Sequence, residues 1–393
     1  MMNTYHIIEL VFWISLFVVF YTYFGYGIVL YGLVKIKELF TKPVAPLLPD
    51  PLPEVTLLIA AYNEEEVIPK KMENCRALAY PVDNLQIVWV TDGSNDRTEE
   101  LLQAYPEVTV LYQPERQGKT AALNRGVKFV DTPYIIFTDA NTMLNRDAIK
   151  EIIRQFSDPQ VGCVAGEKRV EIQSAQGATA GEGIYWKYES ALKSLDYRLY
   201  SAVGAAGELF AIRTDLFEEM PTDTLLDDFI LSLRIACKGY KIAYCKEAYA
   251  METASSDMKE EEKRKIRITA GGLQSIWRLR GLLNIFRYGT LSFQYISHRV
   301  LRWSITPLLL FLLLPLNVIL VFNGGVFYKV LLILQILFYL AGYIGYKKQQ
   351  KNIKSKLFFI PYYFLFMNIN VLRGYSYLSR HKGTGAWEKA RRQ

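Results

Sequence analysis

The chain has 393 residues, 51% of them hydrophobic and 22% charged, with a formal net charge of +7 and a mean hydropathy of +0.08. That hydropathy excludes an ordinary soluble protein, and the length leaves room for one large domain plus membrane elements. The charge is clustered beside apolar runs, with Lys347, Lys348, Lys351, Lys354 and Lys356 together and Lys389, Arg391 and Arg392 at the end. Such clusters mark membrane topology, so no nucleic-acid partner is expected. Cys75, Cys163, Cys237 and Cys245 show no metal-ligand spacing, which predicts free thiols in a reducing compartment.

The first element is the apolar run Ile7 to Val34, long enough to cross a bilayer of ~30 Å at ~1.5 Å per residue. No basic stretch precedes it and it is too long for a cleavable signal peptide. Lys35, Lys37 and Lys42 follow, placing its end and the next domain in the cytoplasm. Residues 1–42 are thus read as a transmembrane helix. Residues 43–53 form a stiff linker containing Pro43, Pro46, Pro49, Pro51 and Pro53.

Residues 54–265 alternate β-rich and helical patterns. Val55–Ala61, Gln86–Thr91, Val108–Tyr112 and Tyr134–Thr138 read as buried strands, separated by helical stretches at 64–79, 95–104 and 118–130. This alternation predicts a mainly parallel sheet with helices on both faces, an α/β domain whose ligands bind at the carboxyl ends of the strands. Polar residues stand there: Tyr62, Asn63 and Glu64 after the first strand, Asp92 after the second, Asp139 and Asn141 after the fourth. One such Asp is ordinarily a helix cap. Several on one edge point to a binding site.

Beyond the domain, residues 266–303 mix apolar residues with Arg287, His298 and Arg299, suiting helices that lie in the membrane interface. Residues 304–346 hold two spans, Ile305–Phe322 and Val326–Tyr346, around the turn Asn323-Gly324-Gly325. Within 347–393 the run Leu357–Leu372 is only sixteen residues long, contains Pro361, Asn368 and Asn370, and has basic residues on both sides. A re-entrant or interfacial segment with a cytoplasmic C-terminus is favoured over a crossing.

The segments LIAAYNEEE (58–66), VTDGSNDRT (90–98), GKTAALNRG (118–126), FTDAN (137–141), GAAGELFAIR (204–213) and LLDDFILSLRIACKGYKIAY (225–244) resemble, in order and spacing, the family 2 inverting glycosyltransferases. Membrane-bound cellulose, hyaluronan and poly-N-acetylglucosamine synthases belong to that group. The resemblance implies a GT-A fold, a mixed sheet with helices on both faces. Its first half binds a nucleotide-sugar, most often a UDP-sugar, and its second half binds the acceptor. It also implies an integral protein of a bacterial inner membrane with a cytoplasmic catalytic domain.

Residue by residue, the resemblance assigns Asp92 to the base of the nucleotide, with Tyr62 and Glu64 beside the donor. Asp96 reads instead as a helix N-cap. Lys119, at a helix start, suits a diphosphate, although a solvated surface lysine is the alternative. Asp139-Ala140-Asn141 stands at the family's D-x-D position, where Mg²⁺ or Mn²⁺ is shared with the phosphates. Asp228 takes the place of the general base, with Asp227 as its acidic partner. A capping pair is the plainer alternative.

The match departs at the Gln-x-x-Arg-Trp motif of the processive relatives, which reads Arg264-Lys265-Ile266-Arg267-Ile268 here. Arg267 keeps the diphosphate role, while the stacking Trp is lost and only Trp277 or Trp186 could replace it. Three functions stay open. They are a single sugar transfer to a lipid-linked or saccharide acceptor, a processive polysaccharide synthase that also secretes its polymer, and a membrane scaffold with a degenerate transferase domain.

Overall fold

A computed structural model describes residues 4–41, 45–171, 177–253, 258–323, 325–351, 353 and 355–380. Lys42, Pro43, Lys354 and the basic tail lie outside the described residues, as does the Trp186 side chain.

The chain enters through α1 (Thr4–Phe20), a π-helical turn (Tyr21–Gly25) and α2 (Tyr26–Phe40). The globular part follows as β1 (Val55–Ala61), α3 (Ile68–Arg76), β2 (Leu85–Thr91), α4 (Thr98–Leu102), β3 (Val108–Leu111), α5 (Lys119–Val127) and β4 (Tyr134–Asp139). It continues through β5 (Met143–Leu144), α6 (Ala148–Gln155), β6 (Val161–Glu171), α7 (Gly177–Leu199), β7 (Leu209–Arg213), α8 (Asp227–Cys237) and β8 (Lys241–Thr253). After it come α9 (Met258–Arg278), the short helices α10 (Ile285–Tyr288), α11 (Thr290–Tyr295) and α12 (Leu301–Trp303), and the long helices α13 (Ile305–Asn323), α14 (Val326–Gln350) and α15 (Lys356–Arg380).

The eight strands form one mixed sheet in the order β3-β2-β1-β4-β7-β6-β8-β5. The first four pair in parallel, β7 runs antiparallel to β4 and β6, and β6 pairs in parallel with β8. The expected parallel half and mixed whole are both present. Strand alternation divides the core: Leu57, Ile59 and Ile136 pack on one face with Ile149 and Ile152 of α6. Leu58, Ile135 and Phe137 pack on the other with Ile230 and Leu233 of α8. Since β1 is flanked by β2 on one side and β4 on the other, the crossovers change direction between β1 and β4. A crevice opens at that switch point. The register Ala60↔Asp139 and Ala61↔Thr91 brings residues 62–64, 92 and 139–141 to the same edge.

The helices after β1 and β2 are shorter than the periodicity predicts, because their first residues lock two loops together. Asn63 Nδ2 donates to Asn95 Oδ1 at 2.7 Å and Asn95 N to Asn63 Oδ1 at 2.9 Å. Glu64 N donates to Thr98 Oγ1 at 2.8 Å, and Glu65 N to Asp96 Oδ2 at 3.2 Å. The other Asp96 oxygen accepts Thr98 N at 3.0 Å, so Asp96 steadies the helix start from one residue before the cap position, which is Arg97. The cysteines are free, three of them buried.

Among the described residues, four helices are long and apolar enough to cross a membrane: Thr4–Phe40, Ile305–Phe322, Val326–Gln350 and Leu357–Arg380. Three corrections follow. The boundary expected at 265 falls inside α9, which is continuous. The final run is an unbroken helix with Pro361 inside it, so no re-entrant loop interrupts it. His298 and Arg299 are buried rather than at a lipid interface, because α7 supplies carboxylates for them. His298 Nδ1 lies 2.6 Å from Asp196 Oδ2, and Arg299 pairs with Glu189 at 2.5 Å. Tyr26 of α2 also donates to Asp196. A buried polar seam therefore ties α2, α7 and the 294–302 segment into one unit, in which Asp196 and Glu189 offset His298, Arg299 and Arg302.

α15 does not simply continue the bundle of α1, α13 and α14. Its first half crosses α14, with Gly342 against Leu365 and Gly345 against Tyr362. It also runs alongside α9, from Phe359 and Tyr363, which cluster with Met258, to Arg373, which pairs with Glu262, and Gly374, which abuts Thr269. Thr22 of the π-helical turn bonds Thr306 at the start of α13. That turn therefore stands level with the end of the α13 span nearer the globular domain.

Candidate active site

A cavity of about 690 Å³ lies at the switch point. Tyr62, Glu64, Asp92, Lys119, Asp139, Asn141, Asp227, Asp228 and Arg267 all line it. The nine residues singled out in the sequence therefore converge on one place.

The loop that opens α5 is built on Asp92. Its Oδ1 accepts Gln117 N at 2.9 Å and its Oδ2 accepts Gly118 N at 2.7 Å. Both oxygens of this buried carboxylate are thus engaged by backbone, which makes Asp92 an anchor for the phosphate-type loop as well as a wall of the cavity. Gly118 has φ 95°, a conformation that disfavours side chains. It turns the chain so that Lys119 begins α5 facing inward. Arg116 stacks 3.8 Å over the Tyr62 ring.

Lys119 is not a solvated surface lysine. Its Nζ lies 2.6 Å from Asp139 Oδ1 and 3.9 Å from Asp227 Oδ2. Burial opposes its charge, but Asp139 and Asp227 outweigh it and raise the pKa above the ordinary value. Asn141 sits in the turn after β4, not on the strand, so the two side chains of the D-x-D position come from a strand end and a turn. Lys71, fully buried beneath this turn, donates to Thr142 O at 2.6 Å and to Thr138 Oγ1 at 3.2 Å. Sequence reading passed over it.

Asp227 and Asp228 open α8, whose cap position is Leu226 with no side-chain cap bond. They stand in the first turn of the helix rather than at its cap position. Asp227 Oδ2 is buried without a hydrogen-bond partner among the described residues. Burial and the adjacent Asp227 raise the Asp228 pKa to about 7, against the opposing charge of Lys119. A Cβ on Gly207 would lie 3.3 Å from Lys119 Nζ and 3.5 Å from Asp228 Oδ2, so glycine there keeps the space between the two groups open. Glu208, next in sequence, is ion-paired to Lys168, which also holds Glu252. The Arg267 Nε is buried without a hydrogen-bond partner among the described residues. Burial lowers its pKa while Asp139, Asp227 and Asp228 oppose this.

Trp277 is 70% exposed and stacks with Arg280. It takes no part in the cavity, contrary to the replacement considered from sequence. Trp303 does line it, as does Ile268 at the place of the missing Trp. The Trp303 ring meets Phe229, next to Asp228, edge to face at 5.0 Å and packs against Gly272 of α9. Its position 35 residues beyond Ile268 hid it. Only the fold brings the two together.

Residues 56–220 match the profile described as glycosyl transferase family 2. The chain carries a family 2 glycosyltransferase domain. The chain is 29% identical over 242 residues to the poly-beta-1,6-N-acetyl-D-glucosamine synthase of Staphylococcus aureus strain COL, covering 58% of this chain and 57% of that protein. It thus spans just over half the length of that curated relative. The Staphylococcus epidermidis enzyme of the same name is 25% identical over 340 residues, covering 80% of this chain and 81% of that protein. Among solved structures, the mannosyltransferase PcManGT from Pyrobaculum calidifontis, in complex with GDP-Man and Mn²⁺, superposes with a TM-score of 0.71. It covers 95% of this chain and 100% of that one at 21% identity, a likeness of fold. The family 2 glycosyltransferase domain is thus joined to apolar helices in an arrangement that a solved protein shares along its whole length.

Proposed function

We propose that this family 2 glycosyltransferase moves a sugar from a nucleotide-sugar, most simply a UDP-sugar, to a hydroxyl of a membrane-associated acceptor, with inversion at the anomeric carbon. The observation that carries the reading is the placement of Asp228. It is a carboxylate with a pKa of about 7, in the same cavity as Lys119, Asp139 and Arg267. Asp228 takes the proton from the attacking hydroxyl. Lys119, at the N-terminus of α5, and Arg267 meet the diphosphate. Asp92 and Tyr62 bound the end where the base lies.

The residues at the β4 end fit a divalent cation only together with phosphate. Asp139 and Asn141 give two protein oxygens, and no group of three or more acidic, His or Cys ligands gathers among the described residues. Mg²⁺ or Mn²⁺ would be held by Asp139, Asn141 and the diphosphate, and it supplies neutralisation of the leaving group's charge. Lys119, paired with Asp139 here, would lie beside the phosphates.

The positively flanked helices support a cytoplasmic catalytic domain, in a bacterial inner membrane by analogy with the staphylococcal relatives. The test is to incubate detergent-purified protein with a panel of nucleotide-sugars and size the products. Release of nucleoside diphosphate with one added sugar fits a single transfer, and a ladder fits a polymerase. No transfer and no nucleotide binding across the panel would leave the scaffold.

A further inference from the structure

The cavity has a second half that the transfer chemistry does not use. From the reaction centre it continues past Arg299, Arg302 and Trp303 to a wall made by Tyr23 and Phe24 of the π-helical turn and by one stripe of α15. That stripe is Phe359, Tyr363, Met367 and Val371, four residues at a spacing of four, with Phe364 beside it. It runs ~18 Å along the helix at ~1.5 Å per residue. Tyr23 Oη donates to Asn368 Oδ1 at 2.5 Å and its ring meets Phe364 at 4.8 Å, so the two walls touch where the π-helical turn passes α15.

Two features define the occupant. The first is chemical: a saccharide needs polar partners along its length, and here Phe, Met, Val and Ile dominate. Tyr23 and Asn368 are bonded to each other, and the Tyr363 hydroxyl donates to Glu261 outside the cavity. The second is positional. No residue of α1, α13 or α14 lines the cavity, so among the described residues it does not continue through the apolar bundle. It ends level with the start of α13, at the domain's side of the membrane. Lys193, Arg299 and Arg302 stand where its polar and apolar halves meet, with Glu189 paired to both arginines.

The geometry points to a binding site for the hydrocarbon chain of a lipid-linked acceptor, laid along the α15 groove on the membrane side of the reaction centre. This inference rests on the transferase reading and deepens it. The acceptor is an amphiphile whose head reaches Asp228 and whose chain stays in lipid or in the α15 groove. Burial of a long chain is worth ~0.8 kcal/mol per methylene, ample to hold the acceptor without any sugar subsite.

The test uses the full chain in lipid nanodiscs and a hexadecyl phosphate bearing a terminal diazirine. After irradiation, labelled residues are located by peptide mass spectrometry, with UDP binding measured on the same samples. Labelling should centre on Phe364, Met367 and Tyr23. It should be removed by excess hexadecyl phosphate but not by butyl phosphate or chitotetraose. Met367→Trp should lower it at least ~10-fold by filling the groove, with UDP affinity unchanged. Ile369→Trp, on the same helix but outside the cavity, should leave it intact. Labelling confined to bilayer-facing residues such as Ile369, or competition by chitotetraose alone, would overturn the proposal. Failure of the transferase reading shows separately, as loss of UDP binding in every sample.

Discussion

The ammonium of Lys119 and the carboxylate of Asp139 lie 2.6 Å apart. The carboxylate at the end of β4 is therefore already neutralised by a cation on the same chain, and a metal ion has to displace it. Mn²⁺ should bind the nucleotide-free protein weakly and bind tightly once UDP offers oxygens to the metal and to Lys119. Calorimetric titration with and without UDP checks this, and equal affinity in both conditions would refute it. Asn141→Asp should strengthen binding without nucleotide, and Asp139→Ala should eliminate metal-dependent turnover.

Asp228→Asn keeps the size of the side chain and removes the base. Transfer should fall by about 10²–10⁴-fold, the usual contribution of a general base, while UDP affinity stays near wild type. Retention of more than a few per cent of turnover would reassign the base. Asp227→Asn should be the milder change.

The pH profile follows from the same pair. A base must be ionised to act, so turnover should rise with pH through the Asp228 pKa of about 7. Burial is the larger cause of that elevated value and Asp227 the next. Asp227→Asn removes one negative neighbour and should move the acid limb down by roughly one unit. A limb that stays in place, or moves up, would show that the two carboxylates do not titrate as neighbours.

Trp303 offers the aromatic surface near Asp228 that position 268 lacks. Trp303→Ala should raise the acceptor KM about five- to tenfold, as the loss of one aromatic contact predicts, and leave the donor KM alone. Trp303→Phe should recover most of it. Gly272→Ala, whose new methyl would meet the indole at 2.5 Å, should reproduce the defect.

Because α15 lies beside α9, a reporter fused after Gln393 should read cytoplasmic. An external reading would mean that α15 crosses the membrane and that its contacts with α9 are not kept there.

The first half of the fold was legible because strand and helix periods differ and because each strand ends in polar residues. Those endings located the cavity. Loop conformation was not legible: Asn63 and Asn95 bond across 32 positions, and this pairing trims two helices that periodicity overextends. Asp92 read as a ligand for a base, but nothing in the sequence showed that its oxygens also accept Gln117 N and Gly118 N, a relation set by the turn at Gly118. Lys71 read as one of two lysines on an ordinary helix. Trp303, Arg299 and the α15 stripe were invisible as site residues, since apolar or basic residues near a membrane have a simpler explanation until the fold sets them beside Asp228.

One wall of the reaction chamber is made by α15, more than a hundred residues after Asp228 in the chain. During synthesis Asp228 and the sheet that carries it leave the ribosome well before that wall does. The cavity is complete only once α15 has emerged and packed against α9.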